Sequence, residues 1–411
     1  MLKEKVMKKT VKKVLCVILA LLCAIGALGF VGCDSGSGDA SVTTDSVTTN
    51  IPTTATPTTE TPAATTTATG EAPVTPTVSY NKVKYNMADI ESKINILGRC
   101  PVTEEGLYAD WSASGFEFVA DCKNMIKITV TSTHDCRFNF YLDDNDLKVV
   151  NISAGTKTYT VAANLEAGEH SFRFVKSSMV ETGTKALAVN IESVEIYGEI
   201  KEAQQREYYV EFVGDSITCG VGASSSASTE AYSELSYAYL TANKLNADYS
   251  LVSISGIGAG KSTDRHNGLL MGQVYSLNNY YRSKTDKYEA NRKADLVVIN
   301  LNTNDRGSFD DVSMKDQFVA KVKDLIDQVK AMHGEDVKIV WVMGMMQDPT
   351  RLYVDLWTIQ YLNSLGGEAA GYYYFVTEKN NQGASSHPIA SAHARVSDEL
   401  VEYITSKGIL G

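Results

Sequence analysis

The sequence predicts two folded parts in series: a β-sandwich of jelly-roll type over residues 80–200, then an α/β domain built on a parallel sheet over residues 207–411. Between about Tyr85 and Ile200 apolar residues recur at every second position in short runs, whereas from Tyr208 onward strand-like runs alternate with segments of helical period. Length agrees with two folded parts, since 411 residues of which 44% are hydrophobic can bury more than one core.

Residues 1–33 read as an export signal. Lys3, Lys5, Lys8, Lys9, Lys12 and Lys13 make a basic start, and 14–30 is an uninterrupted apolar run. The closing Phe30-Val31-Gly32-Cys33 resembles the lipobox of bacterial lipoproteins, in which Cys33 would carry the lipid and become the mature N-terminus; Phe30 departs from the usual leucine. An uncleaved membrane anchor is the alternative, and either reading puts the body outside the membrane. Residues 34–79 are Thr, Ala, Pro, Ser and Gly with almost no large apolar side chain, so they cannot bury enough surface to offset ordering. They read as a disordered tether whose content is reach.

The formal net charge of -11 argues against nucleic acid or an anionic lipid surface as partner and favours a neutral substrate. A monomer is expected. Beyond the leader remain Cys100, Cys122, Cys136 and Cys219, in a setting that allows disulfides. Cys100 with Cys122 or with Cys136 is open on sequence alone. No cysteine or histidine spacing resembles a zinc site, and His387 and His393, six apart, do not share a helical face, so no metal and no cofactor are expected.

In the sandwich region, runs at 116–119, 126–130, 138–142, 159–161, 170–175, 188–191 and 194–197 predict short strands, with turns at 143–146 and 166–169. Trp111, Tyr141 and Phe172 read as core rather than as a sugar platform. In the second part, strands are expected at 208–213, 249–254, 295–301, 338–345 and 372–377. Phe318, Val322, Leu325, Ile326, Val329 and Met332 mark a helix that Gly334 ends. Alternating strand and helix implies a parallel sheet covered on both faces.

Candidate chemistry gathers where those strands end. Gly214-Asp215-Ser216-Ile217-Thr218 follows the first strand and places Ser216 in a tight turn at the carboxyl edge, where open α/β sheets hold ligands. Serine needs a base and donors for the oxyanion. The second strand leads into Ser255-Gly256-Ile257-Gly258, whose glycines let backbone N–H groups approach a substrate. The third leads into Asn302-Thr303-Asn304-Asp305, whose carboxamide can donate, and the last strand into Ser385-Ser386-His387-Pro388. His134, His170, His266 and His333 have no comparable setting.

These four blocks, in this order, resemble those of SGNH (GDSL-type) hydrolases, which have a flavodoxin-like parallel sheet. With the preceding sandwich and its Tyr108-Ala109-Asp110-Trp111 segment, residues 85–408 further resemble carbohydrate esterase family two. The resemblance implies Ser216 as nucleophile and His387 as base. It implies an oxyanion hole from the N–H groups of Ser216 and Gly256, with Gly258 as the alternative, and the side chain of Asn304. It implies deacetylation of plant-wall polysaccharide such as xylan or mannan through an acyl-enzyme. Two positions depart from the pattern. Asn302 replaces the usual glycine, which would narrow the oxyanion loop. Ala384 occupies the place of the acid three residues before the histidine, so a Ser-His dyad held by a backbone carbonyl is expected, with Asp348 or Glu378 as distant substitutes. The reading from another class is a surface carbohydrate-binding protein whose cleft holds glycan without turnover.

Overall fold

A computed structural model describes residues 80–143, 148–183, 185–348 and 353–411. The export signal with Cys33, the tether and most of the predicted turn at 143–146 therefore lie outside the described residues. The two expected parts do not separate: Thr75–Gly411 is one compact unit.

The first part is a curled antiparallel sheet of nine strands with a separate two-stranded hairpin, Glu181–Thr182 with Lys185–Ala186, and this corrects the expectation of many short strands. Its path runs Val102–Thr103, Gly106–Tyr108, Val189–Lys201, Gly115–Ser132, Gly155–Lys176, Cys136–Leu142 and Lys148–Ile152. Lys82–Asn86 adds to Val189–Lys201, and Asn95–Leu97 to Gly115–Ser132. The predicted runs at 116–119 and 126–130 are one strand of 18 residues, and those at 159–161 and 170–175 are one of 22. Residues 166–169, read as a turn, instead lie inside the second of these strands at a bulge. Register shifts at Cys122, Asn124 and Ile126, with Asn124 and Asn164 at φ 68 and 59, bend the long strands without ending them. Turn-type chemistry marks both devices, so sequence cannot tell them apart.

The curl encloses Phe116, Phe118, Phe138, Phe172 and Phe174, all buried, in offset stacks with centroids 4.5–5.8 Å apart for Phe138 with Phe174, Phe118 with Phe172 and Phe116 with Phe118. Each such ring contributes on the order of 1.5–3 kcal/mol by leaving water. Phe172 and Trp111 are core, as read, and Tyr141 is partly buried. Cys100, Cys122, Cys136 and Cys219 are all buried and unpaired, so the disulfide left open on sequence does not form.

The second part contains all five expected strands, in the order Asp248–Ser253, Tyr209–Gly214, Leu296–Asn300, Lys338–Met343, Tyr372–Val376, every pair parallel. This is the doubly wound order that reverses direction beside the first strand, and ligands bind at that switch point. Register places Gly214 opposite both Ser253 and Asn300, so the nucleophile turn, the glycine block and the asparagine block leave the sheet at one level. The helix Lys315–His333 covers one face through Phe318, Val322, Leu325 and Val329; Ala390–Ser406 covers the other through Val396, Leu400 and Ile404.

The two parts share their cores. Trp111 and Val180 pack into one hydrophobic cluster of the parallel sheet, and Leu97, Ala113 and Val175 into the other. A buried ion pair crosses the junction: Arg99 donates from Nε and Nη2 to Glu211 at 3.0 and 2.8 Å, and Glu211 also accepts from Ser250, Tyr275 and His333. The Arg99 guanidinium and the hydrogen bond from His333 hold the Glu211 carboxyl well below the usual carboxylate range against the opposing effect of burial.

Candidate active site

Strand Tyr209–Gly214 ends in a turn that sequence chemistry shapes closely. Gly214 has no room for a side chain, because a Cβ there would stand 2.0 Å from the Thr218 hydroxyl. Asp215 is buried and accepts the Ile217 N–H at 2.9 Å, capping the single turn Ser216–Cys219. Burial, aided by the neighbouring Asp305 carboxylate, pushes Asp215 up to about 7. Ser216 heads that turn, 5% exposed.

Ser216 Oγ lies 2.8 Å from His387 Nε2, a contact between positions 171 apart in the chain. The imidazole tautomer is forced. Nδ1 stands 2.9 Å from the carbonyl oxygen of Ala384, which can only accept, so Nδ1 carries the proton and Nε2 is free to accept the serine O–H. That carbonyl also accepts the His387 N–H at 3.1 Å. It faces the ring because Ser385 and Ser386 both take the left-handed region, at φ 51 and 62. Burial lowers the His387 pKa below its ordinary value, and the backbone hydrogen bonds oppose that shift only in part. Glu378 is exposed on this edge, while the Nδ1 proton is already committed.

Asn304 joins two blocks. Its Nδ2 donates to Asp215 Oδ2 at 2.9 Å and to the Ile257 carbonyl at 2.7 Å, and because that carbonyl can only accept, the orientation of the amide is fixed. Both protons are engaged, so donation to a bound oxyanion would be shared with one of these partners. The glycine block separates its two candidates. Gly258 N–H is spent on Ser262 Oγ at 2.9 Å. Gly256 N–H and Ser216 N–H have no hydrogen-bond partner among the described residues. Gly256 is at φ +85, and a Cβ there would lie 2.5 Å from Thr263 Oγ1.

Asn302 does not narrow the loop as expected. It occupies the left-handed region at φ 83, as a glycine would, and its amide turns away to Asp355 Oδ1 at 2.9 Å and Thr358 Oγ1 at 3.3 Å. The strain of that backbone is offset by two buried hydrogen bonds.

Three contributors escaped the sequence reading. Asp305 accepts the N–H groups of Ala259, Gly260 and Lys261 at 3.1, 2.6 and 2.6 Å and so holds the glycine loop against the asparagine loop. Its only sequence signal is its place beside Asn304. His266, set aside on sequence, lies at this edge with Nε2 2.7 Å from the Ser255 carbonyl. Arg265 donates to the same carbonyl and to Glu181 of the first part, the latter at 2.8 Å. Neither carries a motif; proximity in the chain to Gly256 is the only clue. No group of three or more His, Cys, Asp or Glu side chains able to hold a metal occurs among the described residues.

Residues 212–377 match the family described as GDSL-like lipase/acylhydrolase. The chain is 28% identical over 301 residues, 68% of its length, to the cellulase/esterase CelE of Acetivibrio thermocellus, and that match spans 35% of the relative. Among solved structures, an acetyl xylan esterase from the rumen bacterium Butyrivibrio proteoclasticus superposes with TM-score 0.71 at 20% identity, over 80% of this chain and 100% of that one. A family two carbohydrate esterase from Clostridium thermocellum in complex with cellohexaose gives 0.64 at 24% identity, over 77% and 100%. One from Cellvibrio japonicus gives 0.69 at 17%, over 80% and 99%. These likenesses establish the fold, an SGNH hydrolase sheet preceded by a curled antiparallel sheet.

Proposed function

We propose that the GDSL-like lipase/acylhydrolase domain of this chain is a serine esterase that removes O-acetyl groups from plant-wall polysaccharides such as xylan and mannan, on a protein exported and held at the cell surface through Cys33. The curled sheet of the first part belongs with a jelly roll in this reading. The observation that carries it is the Ser216 Oγ to His387 Nε2 contact of 2.8 Å, with the imidazole locked in the tautomer a general base requires.

The chemistry follows from those atoms. Ser216 Oγ attacks the acetyl carbonyl carbon while its proton passes to His387 Nε2. Negative charge on the former carbonyl oxygen faces the Ser216 and Gly256 N–H groups and the Asn304 amide. Collapse expels the sugar oxygen, which takes the proton from Nε2. His387 then deprotonates a water that attacks the acyl-serine carbon; collapse breaks the bond to Ser216 Oγ, which takes the proton back from Nε2, and acetate leaves. The buried turn around Ser216 keeps these groups in a medium where their electrostatics are less screened.

The test is acetate release from acetylated xylan, acetylated glucomannan and O-acetylated peptidoglycan by wild type and Ser216→Ala. Release from plant polysaccharide that Ser216→Ala abolishes supports the reading. Binding of these glycans with no acetate release would sink it in favour of a cleft that only holds carbohydrate, and release from peptidoglycan alone would replace the substrate.

A further inference from the structure

Gly256 N–H and the Ser255 carbonyl belong to one peptide unit, and that unit is gripped from its oxygen side. Arg265 Nη2 donates to the Ser255 oxygen, and His266 Nε2 stands 2.7 Å from it. Because a carbonyl oxygen only accepts, Nε2 of His266 carries its proton; Arg265 Nε, 3.1 Å from that nitrogen, then makes no hydrogen bond with it. His266 Nδ1 accepts from the Tyr281 hydroxyl at 3.4 Å. The next peptide is held as well, since the Gly256 oxygen accepts from Thr263 N–H at 2.9 Å and Thr263 Oγ1 at 3.2 Å. Behind Arg265 stands Glu181, on the short strand Glu181–Thr182 that pairs with Lys185–Ala186 in a two-stranded sheet of the first part, with its side chain 1% exposed and Oε1 2.8 Å from Nη2.

We infer that Arg265 and His266 are positioning residues for the oxyanion hole, and that Glu181 carries this role across from the two-stranded hairpin of the first part. The inference rests on the esterase reading and on Gly256 as an oxyanion donor. Two donors on the oxygen of an amide draw electron density from its nitrogen, so the N–H on the other side becomes a stronger donor. They also fix the plane of the peptide, which turns the N–H toward a fixed point before charge develops there. Preorganised donors of this kind act on the transition state and leave ground-state binding nearly unchanged. The arrangement also gives the first part a reason to be fused to the parallel sheet: without Glu181 the Arg265 side chain has no buried anchor.

The experiment compares wild type, Arg265→Ala, His266→Ala, His266→Gln and Glu181→Gln, each verified as folded by its thermal transition. Turnover of a small acetyl ester and inhibition by an aryl boronic acid, which forms a tetrahedral adduct on serine, are both measured. Arg265→Ala and His266→Ala are expected to lower kcat about tenfold each with KM unchanged, a fraction of the loss on removing a whole oxyanion donor. Boronate affinity is expected to fall by the same factor. His266→Gln, which restores a donor near the carbonyl, is expected to recover most of kcat, and Glu181→Gln to lose a few-fold, about threefold, as Arg265 loosens. Wild-type turnover that Ser216→Ala removes, combined with unchanged kcat in both alanine variants, overturns this role alone. A kcat loss without a matching loss of boronate affinity overturns it too, because a merely structural residue would give that pattern. A wild type with no turnover dependent on Ser216 overturns the esterase reading and this role with it.

Discussion

The Nδ1–H of His387 donates to the carbonyl oxygen of Ala384, 2.9 Å away, at the position where a triad would place its acid. A carbonyl fixes the tautomer as a carboxylate does, but brings no full negative charge to stabilise the imidazolium. The behaviour of the site follows from that difference.

The pH dependence of kcat/KM should reflect it. Burial lowers the His387 pKa below about 6.5, the ordinary value, because the charged form is the one desolvation penalises. The base must be neutral, so activity rises with pH through the lowered pKa and is already on its plateau at neutral pH. A profile of kcat/KM between pH 4 and 9 checks this; an acid limb centred above 7 would contradict it.

Removal of the distant acids should matter little. Asp348→Asn and Glu378→Gln are each expected to lower turnover by less than about tenfold, and His387→Ala by at least about a thousandfold, the scale of losing a base. Steady-state kinetics on folded variants decide it. A large loss at either carboxylate would show that it reaches the imidazole and completes a triad.

The orientation of the Ala384 carbonyl depends on two left-handed serines. A β-branched residue tolerates that region worst, so Ser386→Val should cost about 1–2 kcal/mol if the turn persists. If the turn relaxes, the carbonyl leaves Nδ1 and kcat falls. Ser386→Gly, which adopts φ 62 without a Cβ clash, should keep kcat within about threefold. Paired thermal melts and kinetics check both; equal kcat in the two variants with no loss of stability would refute the account.

The buried Arg99–Glu211 pair should make the two parts unfold together. Arg99→Ala leaves the Glu211 carboxylate in the interior without its guanidinium and is expected to cost about 3–5 kcal/mol. Replacing the pair by Met and Leu should cost at least as much, because it leaves the buried donors Ser250, Tyr275 and His333 without their acceptor. Chemical denaturation monitored by fluorescence measures both, and a wild-type curve with two separate transitions would contradict the shared core.

Sequence by itself determined what depends on local pattern. The change from a period of two to alternating strand and helix set the two architectures. The chain order of Ser216, Gly256, Asn304 and His387, after the first, second, third and last strands, put them at one sheet edge, because parallel strands share a direction and their ends share a level. Tertiary structure alone decided what depends on contacts between distant positions or on backbone torsion. It joined the short β runs into long bent strands, since a left-handed Asn serves a bulge as readily as a turn. It turned Asn302 away from the loop because Asp355 and Thr358, more than fifty residues on, offer its amide buried partners. It brought His266 and Arg265 onto the peptide of Gly256, with Glu181 behind them, through hydrogen bonds that no spacing in the chain encodes.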